Sequence, residues 1–216
     1  KEVIFEEGMK SIPAYIMASK DYTSYVEKVV IPSTVTEIKE RAFYNCKKIT
    51  TVDIPESLSM IDTDAFSDCS GLTSIDIPKK ITSIGSSAFS GCTNLSSVKF
   101  NYNDTVEYTA SIGSSAFSGC TSLENVELSE NITSIGTYAF DGCSSLKNLS
   151  LPESLTSVGF DMIRGTGITS ITIPKNVSES SHGYYNSDYN GALAGCTTLK
   201  EVIFEEGMKS IPAYIM

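Results

Sequence analysis

One motif recurs along the chain at a fixed step, and that periodicity constrains the fold more than any other property of the sequence. VVIPSTVTEIKERAFYNC starts at Val29, VDIPESLSMIDTDAFSDC at Val52, IDIPKKITSIGSSAFSGC at Ile75, VELSENITSIGTYAFDGC at Val126 and LSLPESLTSVGFDMIRGT at Leu149. The aromatic residue, or the residue in its place, falls at Phe43, Phe66, Phe89, Phe117, Phe140, Ile163 and Leu193, in steps of 23, 23, 28, 23, 23 and 30 residues. A 23-residue unit with two insertions explains the series. So short a unit cannot bury its apolar face alone, whereas a stack of such units can.

Each unit opens on an apolar-x-x-apolar-x-apolar run, as in Leu72, Ile75, Ile77 or Leu123, Val126, Leu128. Alternation and β-branched residues predict a short strand. Proline follows at the same place in five units (Pro32, Pro55, Pro78, Pro152, Pro174). It lacks an N–H and marks the strand's end. The remainder of the unit suffices for a parallel crossover but not for a long helix. Short strands or 3₁₀ turns are expected there, and a helical or 3₁₀ turn over SSAFSGC should insert Ala and Phe into the core. The whole chain, 1–216, reads as one array of about eight units. Its first seventeen residues, KEVIFEEGMKSIPAYIM, are repeated without change as Lys200–Met216. That identity suggests a piece of a longer array and possible end-to-end self-association of the fragment.

Composition narrows the function. With 16 Lys+Arg against 26 Asp+Glu and a net charge of −10, the chain is a poor partner for nucleic acid. No apolar run is long enough to insert in a membrane as a helix. One histidine and no tryptophan leave little material for catalysis, and no unit gathers a nucleophile, a base and an acid. No enzyme activity, cofactor or metal is expected.

The pattern L-x-x-I-x-I-P-x-x-[VIL]-T-x-I-G-x-x-A-F-x-x-C resembles the BspA-like (Treponema-type) leucine-rich repeat over essentially the whole chain. Met162-Ile163 and Gly191-Ala192-Leu193 mark the two units that depart from it. The resemblance implies an α/β-type repeat solenoid, mostly β: a leucine-rich-repeat right-handed coil with a parallel sheet on one face. It also implies an extracellular or cell-surface location in bacteria and adhesion to a host extracellular or matrix protein. The competing readings are a structural spacer that presents other domains and a carbohydrate-binding module.

Candidate site residues fall into three groups. Cys46, Cys69, Cys92, Cys120, Cys143 and Cys196 share one repeat position, three residues after the Phe or Leu. A one-per-coil ladder of parallel side chains favours buried free thiols over disulfides, and it is a poor zinc site. Insertions hold seven of the eleven tyrosines, and Tyr with Ser, Asn and Gly is the chemistry of recognition loops. Five extra residues follow Phe100 and eight follow Ile173, with three more in Ala18–Tyr25. The first two are expected to leave the repeat at one phase and to share a rim carrying Tyr102, Tyr108, His182, Tyr184, Tyr185 and Tyr189. His182, in SESSHGYYNSDYN, reads as an exposed loop residue rather than a catalytic one. Tolerated insertions with tyrosines packed back on the solenoid are the alternative. The third group comprises Asp53, Asp76, Lys99 and Glu127, between the last two apolar residues of their strands. They should face outward from the sheet, either as a surface for a basic partner segment or as a solvated face.

Overall fold

The structure is a computed structural model that describes residues 1–17, 25–101, 108–180, 183–185 and 188–216. The chain winds as a parallel β-solenoid, and among the described residues it contains no helix. A typical coil contributes one strand to a front sheet, turns at the proline, contributes a second strand to a back sheet, and returns through the Ala-Phe turn; the coil of Leu149 has no front strand. The front sheet comes in three parallel pieces. Glu2–Ile4, Lys28–Val30 and Thr51–Asp53 form the first, Ser74–Ile77, Ser97–Phe100 and Asn125–Glu127 the second, and Ser170–Ile173 with Glu201–Phe204 the third. The back sheet is the longer one. Eight strands, from Ser11–Ile12 to Glu179–Ser180, pair in parallel without a break.

Side-chain alternation decides which residues enter the core. In Ser74–Ile77 the burial alternates, with Ile75 and Ile77 inside and Ser74 and Asp76 outside. At the corner the proline carbonyl accepts an N–H from the third residue on: Val35 to Pro32, Leu58 to Pro55, Ile81 to Pro78, Leu155 to Pro152 and Val177 to Pro174, all 3.1 Å. In the coil that has Ser129 at this position, Ile132 makes the same bond at 3.2 Å. The turn therefore depends on the backbone, and proline pre-sets its φ.

The Ala-Phe segment is not the helical or 3₁₀ turn expected from SSAFSGC. Its N–H groups alternate between two destinations. Ala88 donates back to Gly85 at 3.3 Å, whereas Phe89 donates across to Ala116 of the next coil at 2.8 Å. A helix would direct them all along its own axis. Left-handed residues break any helical run, here Ser87 at φ 55° and Gly91 at φ 72°.

The core is one continuous column. Phe43, Phe66, Phe89, Phe117 and Phe140 are fully buried and stack with ring centroids 5.0, 5.2, 5.3 and 5.5 Å apart, the planes within 14° of parallel. Beside them the free cysteines form a second column. Cys69 Sγ donates to the Phe43 carbonyl at 3.1 Å, and Cys92, Cys120 and Cys143 repeat the bond one coil further on at 3.2 Å. Thr166 takes the cysteine's place in the coil of Ile163 and donates to Ile163 O at 2.8 Å. The thiols are thus packed core groups that also satisfy buried carbonyls.

Candidate functional site

The front sheet holds its outward residues in strict rows. Ile4 pairs with Val30 and Val30 with Asp53 in the first piece. Asp76 pairs with Lys99 and Lys99 with Glu127 in the second. Thr172 pairs with Ile203 in the third. Parallel register repeated coil upon coil places identical repeat positions side by side. The four sheet-face residues singled out in the sequence, Asp53, Asp76, Lys99 and Glu127, are accordingly all exposed.

Their electrostatic surroundings differ. Asp53 is engaged, with Lys28 Nζ 3.0 Å from its carboxylate and 3.4 Å from that of Glu2. Lys28 is held above the usual lysine range by Asp53 first and then by Glu2. By contrast, Asp76, Lys99 and Glu127 make no side-chain hydrogen bond or ion pair among the described residues. Acid, base and acid stand on adjacent strands, ~4.8 Å apart at the usual spacing. Ser74, Ser97 and Asn125 lie beside them on the same strands.

The insertions do not share a rim. The residues after Phe100 leave between a front strand and a back strand, which resumes at Ala110–Ile112. After Ile173, however, the chain follows the ordinary path. Pro174 and Val177 make the usual corner, and Glu179–Ser180 pairs with Ser157–Val158 in the back sheet. The eight extra residues therefore lie between Ser180 and Gly191, at the next corner. The third insertion, Ala18–Tyr25, falls between the Met17 turn and the front strand Lys28–Val30, and all of it but Tyr25 lies outside the described residues.

Tyr102 and His182 lie outside the described residues. Tyr108 is 44% exposed. Gly183–Tyr185 and Asp188–Asn190 form an antiparallel hairpin in which Tyr184 pairs with Tyr189 and Tyr185 with Asp188. Tyr25, in the remaining insertion, is 57% exposed with Lys1 Nζ 4.8 Å from its ring centre.

One concave feature escaped the sequence reading. A shallow groove of about 570 Å³ runs along the back sheet, lined by Ser83, Ser111, Ser134 and Ser157 with Gly85, Gly113, Gly136 and Gly159. The recurring S-I-G triplet was its available signal. Hydroxyls, glycines and backbone can hold a polar chain there, and the one titratable side chain of the lining is Asp62, whose Oδ1 accepts the Thr63 N–H at 2.7 Å.

The chemistry available elsewhere is equally plain. Among the described residues no three His, Cys, Asp or Glu side chains converge on a point that could hold a metal ion. Burial pushes Cys69, Cys92, Cys120 and Cys143 well above the ordinary thiol range, and Cys46 and Cys196 up to about 12. Such thiols stay protonated and unreactive at neutral pH. No helix among the described residues is long and apolar enough to cross a membrane.

A parallel solenoid built on a 23-residue coil, most of its coils locked by an Ala-Phe turn and a buried cysteine, is a leucine-rich repeat protein. The model of the BspA type leucine rich repeat region matches residues 10–109 and 104–190, in six copies, and the chain belongs to that family. No curated protein matches it. Among solved structures, a leucine rich cell surface protein from Faecalibacterium prausnitzii is 26% identical over 94% of this chain, with a TM-score of 0.55. A leucine-rich repeat protein from Eubacterium ventriosum is 27% identical over 74% of it, with a TM-score of 0.53. The chain spans 59% and 47% of the lengths of these two proteins. The Treponema pallidum leucine rich repeat protein, 24% identical, shares the fold over 82% of this chain and 69% of its own, with a TM-score of 0.56.

Proposed function

We propose that this chain is a non-catalytic protein-recognition module of a bacterial surface or secreted protein, and that its front sheet is the contact surface. The observation that carries the reading is the row Asp76, Lys99, Glu127. Three charges are exposed on the sheet and have no side-chain partner among the described residues, while in the neighbouring piece Lys28 is paired with both Glu2 and Asp53. Unpaired, pre-positioned charges steer a partner's approach and fix its register. The matching partner is a host extracellular or matrix protein presenting a basic–acidic–basic segment. The surface location draws support from family membership and from the cell-surface protein of Faecalibacterium prausnitzii.

The continuous aromatic and thiol columns favour a second reading, a stiff spacer. Both readings are tested by screening the chain against matrix and plasma proteins beside two variants. One carries Asp76→Lys, Lys99→Glu and Glu127→Lys, and the other Tyr108→Ser, Tyr184→Ser and Tyr189→Ser. Saturable binding lost only in the first supports the front sheet. Loss only in the second transfers the site to the inserted corners, competition by free sugar would make it a glycan site, and no binding at all leaves the spacer.

A further inference from the structure

The row Asp76, Lys99, Glu127 has a length as well as a charge pattern. It belongs to one piece of the front sheet, whose strands Ser74–Ile77, Ser97–Phe100 and Asn125–Glu127 run parallel and in register. Coils lie on both sides of that piece, so the exposure of the three charges belongs to the sheet face and not to an end of the array. The row is also bounded. On one side Asp53 already holds Lys28 at 3.0 Å. On the other, the equivalent position in the Leu149 coil is the uncharged Ser150, and no front strand forms there. Three charges with no side-chain partner among the described residues therefore span two strand steps, ~9.6 Å from first to last.

That length discriminates between backbones. In an α-helix, residues i, i+3 or i+4, and i+7 share one face, and seven residues rise about 10.5 Å, so three side chains meet the row almost one to one. In an extended segment only alternate residues share a face, and three of them span ~13 Å, which carries the outer two beyond the ends of the row. Backbone chemistry points the same way. An extended segment bound through its main chain needs a sheet edge. Ser97–Phe100 has a strand on each side, so its N–H and C=O groups are already committed to the ladder. A helix satisfies its own backbone groups and asks the sheet for side chains alone. Ser74 and Ser97, short side chains two residues before Asp76 and Lys99, leave room for it beside the row.

We propose that the segment received by the front sheet is an α-helix lying across the strands, with basic, acidic and basic side chains at i, i+3 or i+4, and i+7. The inference rests on the front-sheet reading and adds the partner's backbone conformation and spacing. The basic residues at i and i+7 meet Asp76 and Glu127, and the acidic residue between them meets Lys99. Because the row reads acid, base, acid from either end, it accepts the helix in both directions. A wholly basic helix face would set a cation on Lys99 and is disfavoured.

The test uses the full chain and synthetic peptides, with binding followed by amide chemical shifts at physiological ionic strength, which screens the chain's overall negative charge. The first probe is an alanine-based peptide of about 18 residues, long enough to be helical, with Lys, Glu and Lys at i, i+4 and i+7. The second carries the same three charges at alternate positions of a threonine-rich extended peptide. The third is the helical peptide with its charges exchanged to Glu, Lys and Glu. The expected result is that shifts in the three strands saturate with the first peptide at a lower concentration than with the second, and about tenfold lower than with the third, the effect of three exposed ion pairs. The chain carrying Asp76→Lys, Lys99→Glu and Glu127→Lys should prefer the third peptide to the first, a reversal that also shows its front sheet to be folded. Equal or tighter binding of the extended peptide at these strands would overturn the helix and leave the front-sheet reading standing. Shifts that fall outside these strands, or that charge reversal does not alter, would overturn both. The absence of a saturable shift with all three peptides would also overturn the inference.

Discussion

At the scale of single residues, two columns make the interior, and each supplies a prediction. Phe89 is stacked from both sides, by Phe66 and Phe117. Phe89→Ala should cost about 3–5 kcal/mol, and Phe89→Leu clearly less, since Ile163 and Leu193 already fill this position elsewhere. Urea denaturation measures both. The thiols give stability a dependence on alkaline pH. Burial raises their native pKa, so each thiol's contribution is complete below the unfolded value, about 8.5, and is lost as pH rises towards the native value. That upper limit is about 12 for Cys46. Over this window each such thiol removes about 1.4 kcal/mol per pH unit. Cys92→Ala should start less stable and lose stability less steeply than the parent between about pH 9 and 11. Equal slopes would show that Cys92 is accessible and ordinary.

At the scale of the coil, backbone conformation explains residue choices that apolar patterning leaves open. The turn needs a left-handed residue two positions after the aromatic, and Asn45, Asp68, Gly91, Gly119 and Gly142 fill it, three glycines and two residues that tolerate this region. Gly113 serves differently. A Cβ there would lie 2.7 Å from the backbone of Gly85, whereas at Gly119, φ +74°, the nearest atom would be 3.7 Å away. Gly119→Ala should therefore cost about 1–2 kcal/mol through φ alone. Gly113→Ala should cost more, because two back strands must move apart. Thermal denaturation of the pair separates conformational from steric cost.

The coil itself was legible in the sequence. Phe43 to Phe140 gave its period, Pro32 to Pro174 its corner, and alternation about Asp76 and Lys99 gave the outward face. The phase of the second insertion was not legible. Ser178, Glu179 and Ser180 lack the Thr-Ser-Ile character of other back strands, yet Ser178 and Glu179 donate their N–H groups to Thr156 O at 3.0 and 3.1 Å. Backbone pairing continued the sheet where side chains gave no sign of it. Short strands on the return path were expected, but their joining into one uninterrupted back sheet was not legible, since strands as short as two residues carry almost no periodicity.

At the scale of the molecule, the columns form one core that no inserted segment interrupts, so the charged front face is held on a stiff support. The excess of acids over bases keeps anionic polymers away and lets a basic segment approach quickly at low salt. Once the screen has produced a ligand, the most direct measurement is its association rate with the chain and with Asp76→Ala/Glu127→Ala, at low and physiological ionic strength. The account predicts a rate that falls with salt in the parent, and a variant that is slower and less salt-sensitive at unchanged stability. Identical rates and salt slopes for the two proteins would contradict the claim that this row is where the partner arrives.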